Sequence, residues 1–295
     1  VRPSPVLVWW LAMRPRTIWA SVAPVIVGTA LAWSQTQTLL VLPALFALLG
    51  AILIQVATNL HNDVADFERG ADTPDRLGPP RATQMGWLSG SQVRRGAFLC
   101  FGLAFLCGIY LVWHGGWPIV GIGIASLIAG WAYTGGPRPI AYSPTGEFFV
   151  WLFFGLAAVG GSYYLQTFSF DAAAFVAASM MGLFGAGIIT VNNTRDIGTD
   201  ERVGKRTLAV VLGRRRIEAV YALELFAPFA LLPLLALVAD RGWSLALPLL
   251  ILPAIVAQVG RFRREPAGPG FNELLARTAK LQLVFCLLLS AGLIL

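Results

Sequence analysis

A chain of 295 residues that is 57% hydrophobic and only 13% charged, with a mean hydropathy of +0.70, is too apolar for a soluble core. Soluble domains carry about 25% charged residues, so an all-α integral membrane protein built from spans of about 20 residues is expected instead. On such a chain the net charge of +7 marks cytoplasmic loops and does not point to nucleic acid as a partner.

Nine apolar stretches can be marked, at roughly 17–34, 39–61, 94–113, 117–134, 147–166, 172–191, 217–239, 243–260 and 274–295. The arm before them, VRPSPVLVWWLAMRPRT, opens on Val1, the mark of a trimmed start, and has no small-residue cleavage site. Insertion is therefore expected to rest on the first long stretch. Short links (QTQT, HGG, TFSFD, DRG) alternate with long ones at 62–93, 135–146, 192–216 and 261–273. Of the 22 Lys and Arg, only Arg241 falls on the side of the short links. That bias places the amino end and the long links in the cytoplasm and the carboxyl end outside, across a cell (inner) membrane. Cys100, Cys107 and Cys286 lie inside apolar runs without a His or acid beside them and read as buried thiols.

The second stretch runs into NLHNDVADFERGADTPDRLGPPR, where Asp63, Asp66, Asp72 and Asp75 follow a greasy helix. The sixth runs into NNTRDIGTD, with Asp196 and Asp200. Spacings of three and four put each pair on one face of a continuing helix, with Asn59, Asn62 and Asn192 extending the faces into the span. Polar groups at a span end must be hydrated or paired. Carboxylates and amide oxygens suit Mg²⁺, which bridges to phosphate oxygens more readily than it fills an all-protein cage. Two such faces across one cavity would hold a diphosphate through the metal. Arg69, Arg76 and Arg81 follow the first segment, and Arg195, Arg202, Lys205 and Arg206 surround the second, with Arg138 in GGPRPIAY. Arg81 and Lys205, beside the acids, are read as phosphate contacts. The Arg214–Arg216 and Arg261–Arg264 clusters are read as topology signals.

Thr73-Pro74 and Gly78-Pro79-Pro80 predict a shaped loop able to cover a site and exclude water. Of the many aromatics, Tyr133, at the cytoplasmic end of the fourth stretch, is the best placed to face a cation. His61 and His114 have no partner at metal-ligand spacing. The matching acidic segments lie four stretches apart. They suggest a single polytopic domain over 1–295 with a pseudo-repeat, 17–134 and 147–260, and a final helix at 274–295.

N-D-x-x-D at Asn62–Asp66, D-x-x-x-D at Asp196–Asp200 and the nine stretches resemble the UbiA-type membrane prenyltransferases, over nearly the whole chain. NDVADFERGADTPDRLGPPR, YTGGPRPIAY, GSYYLQT and NNTRDIGTDERVGKRTLAVVLG are similar to the branch of that family acting on 1,4-dihydroxy-2-naphthoate. Gly70 stands where many relatives have an acid, with Asp72 two residues on, and Asn193 replaces another acid. The resemblance implies a helical bundle around a central cavity that opens near the cytoplasmic face. It implies Mg²⁺ on Asp63, Asp66, Asp196 and Asp200, and Lys205 at the departing diphosphate. Asn59, Asn62, Asp72, Arg81, Tyr133, Arg138, Asn192, Asn193 and Arg195 would contact the substrates, with Asp72 open between metal and acceptor. The implied substrates are an isoprenoid diphosphate, its tail between helices in reach of lipid, and dihydroxynaphthoate, which loses CO2. Two other readings stand beside it: a related enzyme for another aromatic acceptor, and a transporter. Acids confined to one side of the membrane argue against transport.

Overall fold

The computed structural model describes residues 3–72 and 76–295. A short helix, α1 (Pro5–Met13), starts at Ser4, whose hydroxyl accepts from the Leu7 N–H. Arg14 ends it in the left-handed conformation, and Pro15 opens α2 (Pro15–Thr36) at the position where a missing N–H costs nothing. Then come α3 (Val41–Glu68), α4 (Gly90–Gly115) and α5 (Trp117–Ala132). A capping box between Ser89 and Gln92 fixes the start of α4. The second half holds α6 (Gly146–Thr167), α7 (Ala172–Arg195), a short α8 (Ile197–Arg202), α9 (Leu208–Val238), α10 (Trp243–Arg264) and α11 (Phe271–Ile294).

Eight of these helices are long and apolar enough to cross a membrane; α5, with 16 residues, is apolar but shorter. The bundle is thus the all-helical membrane architecture expected, with the nine stretches becoming eight full spans and one short helix. Two boundaries move. The 28 residues of α3 reach about 42 Å at 1.5 Å per residue, beyond a hydrocarbon core of about 30 Å. Its last turns, with both acids, therefore project out of the greasy layer. Helix α9 begins at Leu208, ahead of its apolar stretch, and is broken at Gly213, whose φ of 73° suits glycine.

The dense core lies among α2, α6, α7, α9, α10 and α11, where Met180, Met181, Phe184, Tyr221 and Phe285 are fully buried. Helix α7 runs through its centre against α6, α9 and α11. A Cβ on Gly155 of α6 would stand 2.5 Å from the Ala178 carbonyl oxygen, and one on Gly182 of α7 would stand 2.6 Å from that of Trp151. These two glycines let the backbones touch, as small residues do between membrane helices. The stretch of α6 that makes this contact, Trp151–Gly160, is wound as a π-helix. A smaller core binds α1 and the loop after α3 to α3 and α4. The space between the two cores is a cavity.

Candidate active site

The cavity measures about 610 Å³ and is bounded chiefly by α2 to α7 and the chain beyond them. Its walls divide by chemistry. Ile54, Phe105, Ile109, Ile122, Leu127, Phe153 and Ile189 make an apolar chamber. Phe105, Ile109 and Ile124 line that chamber and are still more than half exposed, so it opens sideways through α4 and α5. Arg14, Asn62, Asp66, Arg76, Arg81, Asn192, Asp196, Thr199, Asp200 and Lys205 form the polar end.

On α3, at 100° per residue, Gln55, Asn59, Asn62 and Asp66 fall within an arc of about 60°, and Asp63 lies about 60° from Asp66, just beyond the edge of that face. Their partners part the two acids. Asp66 lines the cavity, pairs with Arg81 at 2.9 Å and Lys205 at 3.8 Å, and accepts from the Tyr142 hydroxyl at 3.0 Å. Asp63 is buried and turned away from the cavity. Its Oδ2 accepts from the Ala82 N–H at 3.0 Å, and its Oδ1 accepts from the Thr83 N–H at 3.2 Å and from the Thr83 hydroxyl. The expectation that Asp63 and Asp66 act from one face is corrected here: loop donors claim Asp63.

Arg81 joins the loop to this face. It pairs with Asp72 at 3.0 Å as well as Asp66, and donates to the Asn62 carbonyl at 2.6 Å. Asp72 also pairs with Arg76 at 2.7 Å. Asp72 lies outside the cavity wall and is joined to it by these two arginines. The sequence readings that fall on Thr73, Pro74 and Asp75 lie outside the described residues.

The second acidic segment is not one helix. Helix α7 ends at Arg195, Asp196 leaves helical geometry, and α8 begins at Ile197. The Asp200 N–H still donates to the Asp196 carbonyl at 2.8 Å, so both acids stay at the cavity mouth. Lys205 connects the two segments: its Nζ is 3.7 Å from Asp200 and 3.8 Å from Asp66, and lies 4.7 Å above the Tyr142 ring.

Among the other expected contacts, Asn62, Asn192, Asn193, Tyr133, Arg81 and Lys205 line the cavity. Asn59 lines it too, but its amide is occupied: it donates to the Met13 carbonyl and Thr17 hydroxyl at 3.0 Å each and accepts from Gln55 at 3.2 Å. It holds the α1–α2 junction. Arg195 is buried outside the cavity, pairing with Asp196 at 2.6 Å and donating to Asn192 at 2.9 Å and Asn272 at 2.8 Å. It orients the second segment and is not placed to touch a substrate. Arg138 is exposed and away from the cavity. Sequence reasoning did not assign Arg14, Arg76, Thr199 or Tyr142 to the site. Arg14 carries a buried Nη2 without a hydrogen-bond partner and faces the cavity. Its only sequence signal is a basic residue before a Pro-initiated helix. Tyr142 lies in the IAY run of a motif noted for other residues.

Charge and burial oppose each other across the site. Burial pushes the Asp200 carboxyl up to about 6 against the pull of Lys205. Burial also raises Asp72, with Arg81 and Arg76 opposing. Burial alone would lower Arg81, but Asp66, Asp72 and Asp63 hold it above its ordinary value. Burial, with Arg81 and Arg76 nearby, pulls Arg14 down to about 9, still charged at neutral pH. The acids are therefore costly to leave without a cation.

Among the described residues, no three His, Cys, Asp or Glu side chains converge into a cage for a metal ion. Asp66, Asp196 and Asp200 instead ring the open end with the amides of Asn62 and Asn192, and the Asn62 Oδ1 is buried without a hydrogen-bond partner. Hard oxygens short of a full cage fit a Mg²⁺ ion shared with phosphate.

Residues 21–271 match the UbiA prenyltransferase family. The chain belongs to that family. Two curated relatives bear the name 1,4-dihydroxy-2-naphthoate octaprenyltransferase. The one from Escherichia coli (strain K12) is 37% identical over 97% of this chain and 95% of its own length, and the one from Haemophilus influenzae is 35% identical with the same coverage. A solved UbiA homolog from Archaeoglobus fulgidus, bound to GPP and Mg²⁺, superposes with a TM-score of 0.69 at 16% identity, covering 97% of this chain and 99% of that one. At that identity the likeness establishes the UbiA fold, and this prenyltransferase family member shares it end to end.

Proposed function

We propose that the protein transfers a prenyl group from an isoprenoid diphosphate to 1,4-dihydroxy-2-naphthoate, releasing diphosphate and CO2, as a step of menaquinone biosynthesis. One observation carries the reading: two oxygen-rich segments, the end of α3 and the α7–α8 junction, meet across Lys205 at the polar mouth of an otherwise apolar cavity. The names of the curated relatives support the acceptor.

Asp66, Asp196 and Asp200, with Asn62 and Asn192, would hold Mg²⁺. Bound there, the ion neutralises the diphosphate and stabilises its departure. Arg81, Lys205, Arg76 and Arg14 donate to the remaining phosphate oxygens, in an electrostatic role that grows as negative charge develops. The apolar chamber takes the isoprenoid tail and keeps water from the allylic carbon. Tyr133, in the cavity wall, presents its ring to that carbon as it becomes cation-like. The carbon–oxygen bond to diphosphate breaks, and its electron pair leaves with the diphosphate. The ring carbon bearing the carboxylate forms the new carbon–carbon bond. The bond to the carboxyl group then breaks, its electrons return to the ring, and CO2 departs without any net proton change. Asp63 stands apart from these steps and fixes the loop that delivers Arg81.

The test is mass spectrometry of products from purified protein, Mg²⁺, prenyl diphosphates of several lengths, and either dihydroxynaphthoate or 4-hydroxybenzoate. A prenylated, decarboxylated naphthohydroquinone is expected, and chelation by EDTA should abolish it. Product from 4-hydroxybenzoate alone would reject the acceptor, and full activity in EDTA would reject the metal.

A further inference from the structure

Glu147 opens α6 and has no part in the chemistry above. It is 5% exposed, its Oε1 accepts from the Asn193 Nδ2 at 2.8 Å, and its Oε2 is buried without a hydrogen-bond partner. Asn193 lines the cavity from α7, between Ile189 of the apolar chamber and Asp196 of the acidic mouth. An acceptor ring must lie at that junction, because there the tail's first carbon meets the diphosphate.

An amide has two unlike faces. A carboxylate accepts hydrogen bonds and does not donate them. In the structure the Glu147 Oε1 takes the Asn193 Nδ2 donor. The NH2 of Asn193 is thereby committed to Glu147, and its carbonyl Oδ1 is left for the cavity. We propose that Glu147 locks the Asn193 amide so that Oδ1 accepts a hydrogen bond from a ring hydroxyl of the aromatic acceptor. Asn193 is then a specificity-determining residue, and Glu147 the residue that positions it. The inference rests on reading the cavity as the site of aryl prenylation. Accepting the hydroxyl proton in a hydrogen bond also pushes electron density into the ring, toward the carbon that attacks. An acceptor without that hydroxyl leaves a buried oxygen unpaired, and sites of this kind reject such analogues strongly.

The experiment compares kcat/KM for 1,4-dihydroxy-2-naphthoate with that for its 1-hydroxy and 4-hydroxy analogues, at saturating prenyl diphosphate and Mg²⁺. The wild-type protein is expected to prefer the dihydroxy ring over at least one analogue. Asn193→Leu should shrink that preference about tenfold and raise the KM for the acceptor, not for the diphosphate. Glu147→Gln, an isostere that lets the amide turn either way, should shrink it by about threefold. The proposal is overturned if Asn193→Leu depresses all acceptors equally, if it raises the diphosphate KM instead, or if Glu147→Gln keeps the full preference. Should Asn193→Leu fail to fold, the Glu147→Gln ratio decides alone. No product from any of the three acceptors with wild-type protein would sink the proposed function itself, and this inference with it.

Discussion

Asp63 and Asp66 differ by three residues and by their neighbours, and the neighbours decide what each does. Asp63 faces Ala82 and Thr83, which satisfy both its oxygens, while Asp66 faces the cavity and its cations. The two asparagine variants should therefore fail differently. Asp66→Asn is expected to cut prenyl transfer by about 10²–10³ or more while the protein stays folded and inserted. Asp63→Asn keeps one acceptor but turns an amide N–H toward loop donors. It should cost roughly 2–4 kcal/mol of stability, seen as a lower thermal midpoint in detergent. Below that midpoint its KM for the diphosphate should stay near wild type. Equal midpoints, with both variants dead, would return Asp63 to the metal site. The sequence made the acids visible but not this division. Local spacing shows a shared face, whereas the claim on Asp63 comes from residues 19 and 20 positions later. The same limit hid Tyr142 and Arg14, which reach the site only by tertiary contact.

At the scale of elements, hydropathy marks where a chain meets lipid, and caps and loops mark where a helix ends. The nine apolar stretches were legible for the first reason. The ends of α3 and α9 were not: the last turns of α3 are polar and held by the loop, and the apolar first turn of α9, capped by Thr207, whose hydroxyl accepts from the Val210 N–H, is cut off from its stretch by Gly213 and three arginines. The π-helical part of α6 has no sequence signal, but its purpose is plain in the packing. It brings Gly155 against Ala178 and Gly182 of α7, the helix whose end carries Asn192, Asn193 and Asp196. A side chain at Gly155 must push backbone away from backbone. Gly155→Ala is expected to cost about 1–3 kcal/mol, and Gly155→Leu more. Because α7 would shift as a rod, transfer should fall along with the thermal midpoint. A control at Gly123, where an added Cβ meets nothing within 4 Å, should leave the midpoint in place. If Gly155→Leu melts at the wild-type temperature, the two helices do not touch as described.

Across the whole molecule, the polar mouth and the basic residues share one end of the bundle. The other end is closed by uncharged donors: Tyr163 donates to Asp171 at 2.8 Å, and Gln166 bridges to the Leu40 backbone. Arg241, the basic residue expected at that far end, donates to the Ser34 carbonyl, so its charge is spent on a helix terminus, where cations are favoured. By the positive-inside tendency, Lys and Arg crowded at one end would put that end in the cytoplasm. The diphosphate of a prenyl donor would then meet the enzyme where soluble Mg²⁺ and substrates are delivered. Two isosteric variants test the orientation. Ser91 opens α4 beside the mouth and Ser169 lies in the link between α6 and α7 at the far end, both exposed. The native thiols lie within apolar helices, out of reach of a water-borne reagent. In right-side-out vesicles, Ser169→Cys should react with an impermeant maleimide, and Ser91→Cys should react only after permeabilisation. The reverse pattern would put the mouth outside, where a cytoplasmic supply of diphosphate could not reach Asp66 and Lys205.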